Sequence, residues 1–180
     1  MNPLTPDVLR IILEYTAHQN IANAVIARNI RCIKYLRKQG ELWTKHHCEV
    51  AAARGHLDCL RYLHEHGCPW NEITCETAAD YGQLECLKYA HEHGCPWDES
   101  TCTAAAEYGH LDCLKYAHEH GCPWNESTCN AAASSGHLEC LRYAHEHGCP
   151  WNKNTYKYAT PGCHEYMESQ GFKKKTCCIM

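Results

Sequence analysis

The chain has 180 residues, 17 basic against 21 acidic side chains, a net charge of −4 with neutral histidine, and 44% hydrophobic residues. That length suits one soluble domain with a continuous core, and the charge balance excludes the basic field on which nucleic-acid binding depends. Residues 1–22 carry Asp7, Arg10 and Glu14 within their apolar stretch, so they offer neither the uninterrupted core of a signal peptide nor a membrane span, and a cytoplasmic protein is expected. In that reducing compartment the 16 cysteines are expected to remain thiols rather than build a disulfide framework.

In chain order, the first predicted element is a helix over residues 4–15, with Pro6 near its first turn and apolar Val8, Ile11, Ile12 and Tyr15 at helical spacing. Residues 1–18 are assigned to it as a cap on the rest of the chain. Residues 19–27 can form the first helix of a faint repeat unit. Its second half carries Cys32, Tyr35, Gly40, Trp43, Cys48, Ala51 and Ala52 in register with Cys59, Tyr62, Gly67, Trp70, Cys75, Ala78 and Ala79. Residues 55–81, 82–108 and 109–135 are then nearly the same 27 residues, and 136–151 begin a further copy. Near the end, Cys163, Tyr166 and Gly171 match the second helix of a closing unit that has lost residues just before it. The array therefore spans residues 19–171, leaving 172–180 as a basic tail.

Two short helices are expected within each unit. Asn71, Asp98, Asn125 and Asn152 follow a Pro-Trp turn or its equivalent and are good N-caps, and the Ala pairs after them permit close packing until a Gly ends the helix. Leu84, Leu87 and Ala90, with Cys86 and Tyr89 alongside, then make one apolar face of a second helix that Gly94 stops. Neither helix can bury its face alone. Stacking like units buries it against the neighbours, which predicts an all-α helical solenoid.

The stretch Gly-His-Leu-Glu-Cys-Leu-Arg-Tyr-Ala-His-Glu-His-Gly-Cys at residues 136–149, with its sister copies, resembles the second helix and turn of ankyrin repeats. Cys140, His145 and Cys149 stand where that family usually has Val, Leu and Ala, and residues 100–106 stand at its Thr-Pro-Leu-His-x-Ala-Ala segment without the Pro and His. The unit is about six residues shorter than the usual 33, so a tight turn is expected in place of the family's hairpin. This short Cys-Pro-Trp variety looks like arrays of protists and of large DNA viruses of amoebae. The resemblance implies protein binding; no enzymatic activity, cofactor or metal is expected, and the chain is expected to be a monomer.

The histidines and cysteines raise the alternative of a metal-dependent enzyme, since each unit offers a set such as His64, His66, Cys68 and Cys75. Geometry argues against it. Residues i and i+2 of a helix point about 200° apart, and paired Cys-x-x-Cys is absent. Cys59, Cys68 and Cys75 fit core positions instead, His64 is expected to meet a backbone carbonyl, and His56 and His66 to lie in turns or solvent. No Cys-His pair is singular enough for a nucleophilic site. Trp43, Trp70, Trp97, Trp124 and Trp151 are expected to cover helix ends rather than to stack bases.

Positions that differ between copies are the candidates for partner contact. Glu49, Glu76, Thr103 and Asn130 occupy one such column, with Lys157 after them; Arg54, Tyr81 and Tyr108 occupy another, with Ser135 after them; Asp80 and Glu107 lie beside it. The ankyrin resemblance places these first helices on the concave face that binds protein partners.

Both termini carry further signals. Residues 4–13 resemble the Leu-Pro-x-Asp-Val-Leu-x-x-Ile-Leu start of an F-box, which implies a substrate adaptor of a cullin ubiquitin ligase as the alternative function. At the other end Cys177 is fourth from the last residue, followed by Cys178, Ile179 and Met180, and preceded by Lys173, Lys174 and Lys175. This matches a prenylation box with a basic element. It predicts a lipid on Cys177 and attachment to an anionic surface on the cytosolic face of a membrane.

Overall fold

The computed structural model describes residues 20–172, so the helix expected over 1–18, with its F-box likeness, and the tail bearing Lys173, Lys174, Lys175 and Cys177 lie outside the described residues. Among those described, twelve α-helices follow one another without a strand and fall into six consecutive pairs. The pairs are α1 (Ile21–Ile26) with α2 (Ile30–Lys38), α3 (Lys45–Ala53) with α4 (Leu57–Glu65), and α5 (Glu72–Asp80) with α6 (Leu84–Glu92). They continue as α7 (Glu99–Glu107) with α8 (Leu111–Glu119), α9 (Glu126–Ser135) with α10 (Leu138–Glu146), and α11 (Lys153–Tyr158) with α12 (Pro161–Ser169). None of these helices is long and apolar enough to cross a membrane.

The caps explain why the helices are this short. Asp98, Asn125 and Asn152 accept backbone N–H groups of Ser100, Ser127 and Asn154 at 2.9, 2.8 and 2.7 Å, satisfying donors that a helix start leaves open. Asn71 departs from the expectation: its side chain makes no cap bond and its Oδ1 is buried without a partner. At the far end of α5, Gly82 N–H bonds Ala79 O and Gln83 N–H bonds Ala78 O. α6 ends in the same way, with Gly94 N–H on His91 O and Cys95 N–H on Ala90 O. Both are Schellman closures, which require a residue in the left-handed region, and Gly82 and Gly94 have φ of +67° and +81°.

Thr74, Cys75, Ala78 and Ala79 from α5 and Cys86, Leu87, Tyr89 and Ala90 from α6 are buried, and the same positions recur in the neighbouring pairs as one cluster running from Ile21 to Met167. A fully buried leucine such as Leu87 contributes about 2 kcal/mol of transfer free energy. The fourteen described cysteines are all buried thiols, acting as the small apolar groups their positions suggested. First helices of adjacent pairs pack against each other far more extensively than second helices do, because the Ala pairs let their backbones approach closely.

The ends differ as the sequence indicates. α11 has six residues where α9 has ten, and Tyr156 stacks on His164 and Phe172 to cover the last pair. At the start, Arg28 takes φ +52° at the position of Gly55 and donates from Nε to both Asp58 carboxylate oxygens at 3.0 Å. A short exposed ion pair of this kind contributes at most about 1 kcal/mol.

Candidate protein-interaction surface

The drifting columns lie along the first helices, and their side chains have different surroundings. Tyr81 and Tyr108 are the C-cap residues of α5 and α7 and stand 57% and 53% exposed. Arg54 and Glu107 are also exposed, whereas Glu76 and Asp80 are half-buried. Three candidates are engaged within the array. Glu49 meets the His46 ring at 3.3 Å, the Thr103 hydroxyl donates to Glu99 O at 2.8 Å, and Asn130 accepts the Thr155 hydroxyl of the next pair. The candidates left without a bond inside the array are Arg54, Glu76, Asp80, Tyr81, Glu107 and Tyr108, with Arg54, Tyr81, Glu107 and Tyr108 the exposed ones.

Electrostatics bind that group together. Burial, and after it the Glu107 carboxylate, push Asp80 above the ordinary carboxylate range, while His110 pulls the other way. The same two carboxylates push the Tyr108 hydroxyl upward. Asp80, Glu107 and Tyr108 therefore sense one another across adjacent pairs, making a negative, aromatic-rimmed strip. Beside it Ile26, Val50, Ala53, Arg54 and Tyr81 line an open cleft of about 360 Å³, and Ile26 is 42% exposed. Ile26 and Val50 were not among the residues singled out from the sequence. A signal was present: Ile26, Ala53, Asp80 and Glu107 are spaced 27 residues apart, so one column turns from apolar to acidic along the array.

The other side of the helix pairs is occupied by a repeated aromatic packing unit. His64 stacks on Trp70 with ring centroids 3.9 Å apart, and its Nδ1 shares a hydrogen bond of 2.9 Å with the Tyr89 hydroxyl in the next pair. His118 with Trp124 and Tyr143, and His145 with Trp151 and Tyr166, repeat the arrangement. The partner of His64 is thus a tyrosine hydroxyl rather than the expected backbone carbonyl, because the stack brings Tyr89 within reach. The carbonyl bond belongs to a different histidine column. His56 Nε2 approaches Ile26 O at 3.3 Å and His110 Nε2 approaches Asp80 O at 3.0 Å, so these rings, expected in turns or solvent, tie one pair to the end of the preceding first helix. His66 is exposed, with Nδ1 bonded to Tyr62 O at 2.8 Å. The tryptophans are half-buried at helix ends, and Trp43 Nε1 donates to His66 O at 3.1 Å.

Among the described residues no three or more His, Cys, Asp or Glu side chains converge as a group that could hold a metal ion. His64 and His66, one candidate pair, engage Trp70 and Tyr62 respectively. Cys68 directs its thiol to Thr44 O at 3.3 Å.

Residues 75–155 match the family described as ankyrin repeats, in three copies. Among similar solved structures is the crystal structure of the human ASB11 ankyrin repeat domain, with a TM-score of 0.61 and 18% sequence identity over 72% of this chain and 69% of that one. No curated protein matches the chain. At that identity the structural likeness speaks for the fold, while the family match carries the repeat type. Residues 75–155 thus match ankyrin repeats in three copies, and the described helix pairs have the fold of an ankyrin repeat domain.

Proposed function

We propose that this chain is a non-enzymatic scaffold that captures a partner protein on the face of its first helices, taking a segment with basic side chains next to an apolar one. The observation that carries this reading is the placement of Tyr81 and Tyr108 at successive helix ends, more than half exposed, beside Asp80 and Glu107. Tyrosine offers a large rigid contact area, and a lysine or arginine held over its ring gains cation–π attraction besides that of the carboxylates. The adjoining cleft at Ile26, Val50 and Ala53 accepts an apolar side chain. The test is affinity capture with the intact protein beside the Tyr81→Ala/Tyr108→Ala variant. Proteins bound through this face should be lost from the variant, with a melting temperature within a few degrees of the parent. Unchanged capture, or a large drop in melting temperature, would place these tyrosines outside the binding role.

The sequence of the tail supports a second, separable proposal, attachment to the cytosolic face of a membrane through a prenyl group on Cys177. A single prenyl chain holds weakly, and Lys173, Lys174 and Lys175 would each add about 1 kcal/mol on an anionic leaflet. Cys177→Ser should release the protein to the soluble fraction of a prenylating cell. Equal membrane recovery of both forms would dispose of the lipid.

A further inference from the structure

The net charge of −4 hides a division along the array. Residues 20–54 carry seven basic and two acidic side chains, whereas residues 55–151 carry four basic and fifteen acidic ones. The change of sign falls on particular columns of the repeat. Asp58, Glu65 and Glu72 mark three columns that stay acidic in the next two units, yet the positions 27 residues before them are Arg31, Lys38 and Lys45. Helix stability does not account for the exchange. Arg31 lies in the first turn of α2 and Lys45 opens α3, where the helix dipole favours an acid and disfavours a cation.

These cations belong to one exposed surface. Arg31, Lys34 and Lys38 follow one another at spacings of three and four along α2 and are all exposed, as is Lys45 after the turn. Arg37 joins helix to turn: its Nη1 donates to Glu41 O at 2.9 Å, and its guanidinium lies 5.0 Å from the centre of the Trp43 ring. Between Glu41 and Trp43 stands Leu42, which at 75% is the most exposed large apolar side chain among the described residues. Later units carry Pro69, Pro96 and Pro123 at its position. An open leucine is therefore set on the turn beside the one stretch of the array that is strongly basic.

We propose that α2 and the turn after it bind an anionic lipid bilayer, with Arg31, Lys34, Lys38 and Lys45 on the headgroups and Leu42 in the interfacial layer. A bilayer presents negative charge and an apolar layer side by side, which is the complement of this surface. The acidic body of a second copy fits less well, because Asp58, Glu85 and Glu139 already meet Arg28, Lys88 and Arg142 at 3.0, 2.9 and 4.0 Å. Single-stranded nucleic acid needs open aromatic faces for its bases. The rings beside this patch are covered, Trp43 by Arg37 and Tyr62 by Lys34, each at 5.0 Å. The same bilayer repels residues 55–151, so contact is confined to the first helix pair and the turn that follows it, and Tyr81 and Tyr108 stay open to a partner. This contact needs neither a lipid on Cys177 nor the basic tail.

The test uses the full-length chain from a host without prenyltransferases, carrying Lys173→Gln, Lys174→Gln and Lys175→Gln so that the tail contributes nothing. Sedimentation with phosphatidylcholine vesicles containing phosphatidylserine measures binding, and vesicles of phosphatidylcholine alone are the control. Binding should require the anionic lipid and fall as salt rises. Each cation near such a surface strengthens binding about fivefold, so Arg31→Asp/Lys38→Glu/Lys45→Glu, which installs the residues of the next unit, should weaken it at least about a hundredfold. Circular dichroism should show the fold retained. If that variant misfolds, Arg31→Gln/Lys38→Gln should still weaken binding about twenty-fivefold. Leu42→Ser should weaken it about fivefold, the effect of half-burying a leucine. No binding to the anionic vesicles, equal binding to uncharged ones, or binding indifferent to the folded charge variants would each overturn the proposal. Salt-sensitive oligomers in analytical ultracentrifugation, or capture of a single-stranded RNA, in place of vesicle binding would overturn it in favour of that occupant.

Discussion

The Tyr89 hydroxyl lies 2.9 Å from His64 Nδ1, joining α4 to α6 across the boundary between two helix pairs, while the same imidazole lies flat on Trp70. A histidine in this position is a sensor of acid. Burial, and next the neighbouring His93, push His64 below its ordinary value of 6.5, with Glu65 opposing. His91 is lowered by burial and then His120 against Glu92, and His118 by burial and then His147 against Glu119.

Acid should therefore destabilise the array through these three rings. Each folded pKa is below the unfolded one, so the unfolded chain binds more protons between the two values. Their contribution is fully present above pH 6.5 and is lost as pH falls through the lower folded values. Melting temperature measured from pH 7.5 down to 5 should fall, and replacing the three histidines with glutamine should flatten that slope. A slope unchanged by the triple replacement would assign the acid sensitivity to other groups.

Two equivalent tyrosines should answer differently to loss of their hydroxyls. Tyr89 shares its hydroxyl with His64, whereas the Tyr116 hydroxyl is buried without a partner. Tyr89→Phe should cost about 1 kcal/mol, the net value of a hydrogen bond, while Tyr116→Phe should be neutral or stabilising because an unsatisfied polar group is removed. Urea unfolding of the two variants checks the order, and equal losses would mean that the Tyr116 hydroxyl is satisfied in solution.

The fold was legible because burial repeats with the sequence. Cys75, Ala78, Ala79 and Leu87 recur at a 27-residue period and are fully buried, so the apolar pattern alone implied stacked helix pairs. What the pattern could not contain is the partner of a polar side chain across a boundary. His64 reaches forward to Tyr89, and His110 reaches back to Asp80. Neither separation matches the repeat length, and both depend on the angle at which pairs stack. The columns that drift between copies were legible as candidates for partner contact. Which members remain open depends on local bonds: Thr103 turns to its own helix and Asn130 to the next pair, while Tyr81 and Tyr108 stay exposed.

The two helix-ending glycines of the α5–α6 pair separate backbone strain from crowding. Both have positive φ, +67° at Gly82 and +81° at Gly94, so a side chain at either meets the left-handed penalty of about 1 kcal/mol. Around Gly94 an added Cβ would find nothing within 4 Å. At Gly82 it would stand 2.6 Å from His110 Nδ1, and that ring is anchored at its other nitrogen by the 3.0 Å contact with Asp80 O. The imidazole cannot yield without loosening the contact that ties α8 to the end of α5. Gly94→Ala should therefore lower stability by about 1 kcal/mol, and Gly82→Ala by about 2 to 3 kcal/mol, strain and a displaced hydrogen bond together. Combining Gly82→Ala with His110→Ala removes the clash and should leave backbone strain as the only remaining penalty of the glycine substitution. In urea unfolding, Gly82→Ala should cost less in the His110→Ala background than in the parent. Equal costs in the two backgrounds would show that the ring moves aside freely and that backbone conformation alone selects glycine at this position.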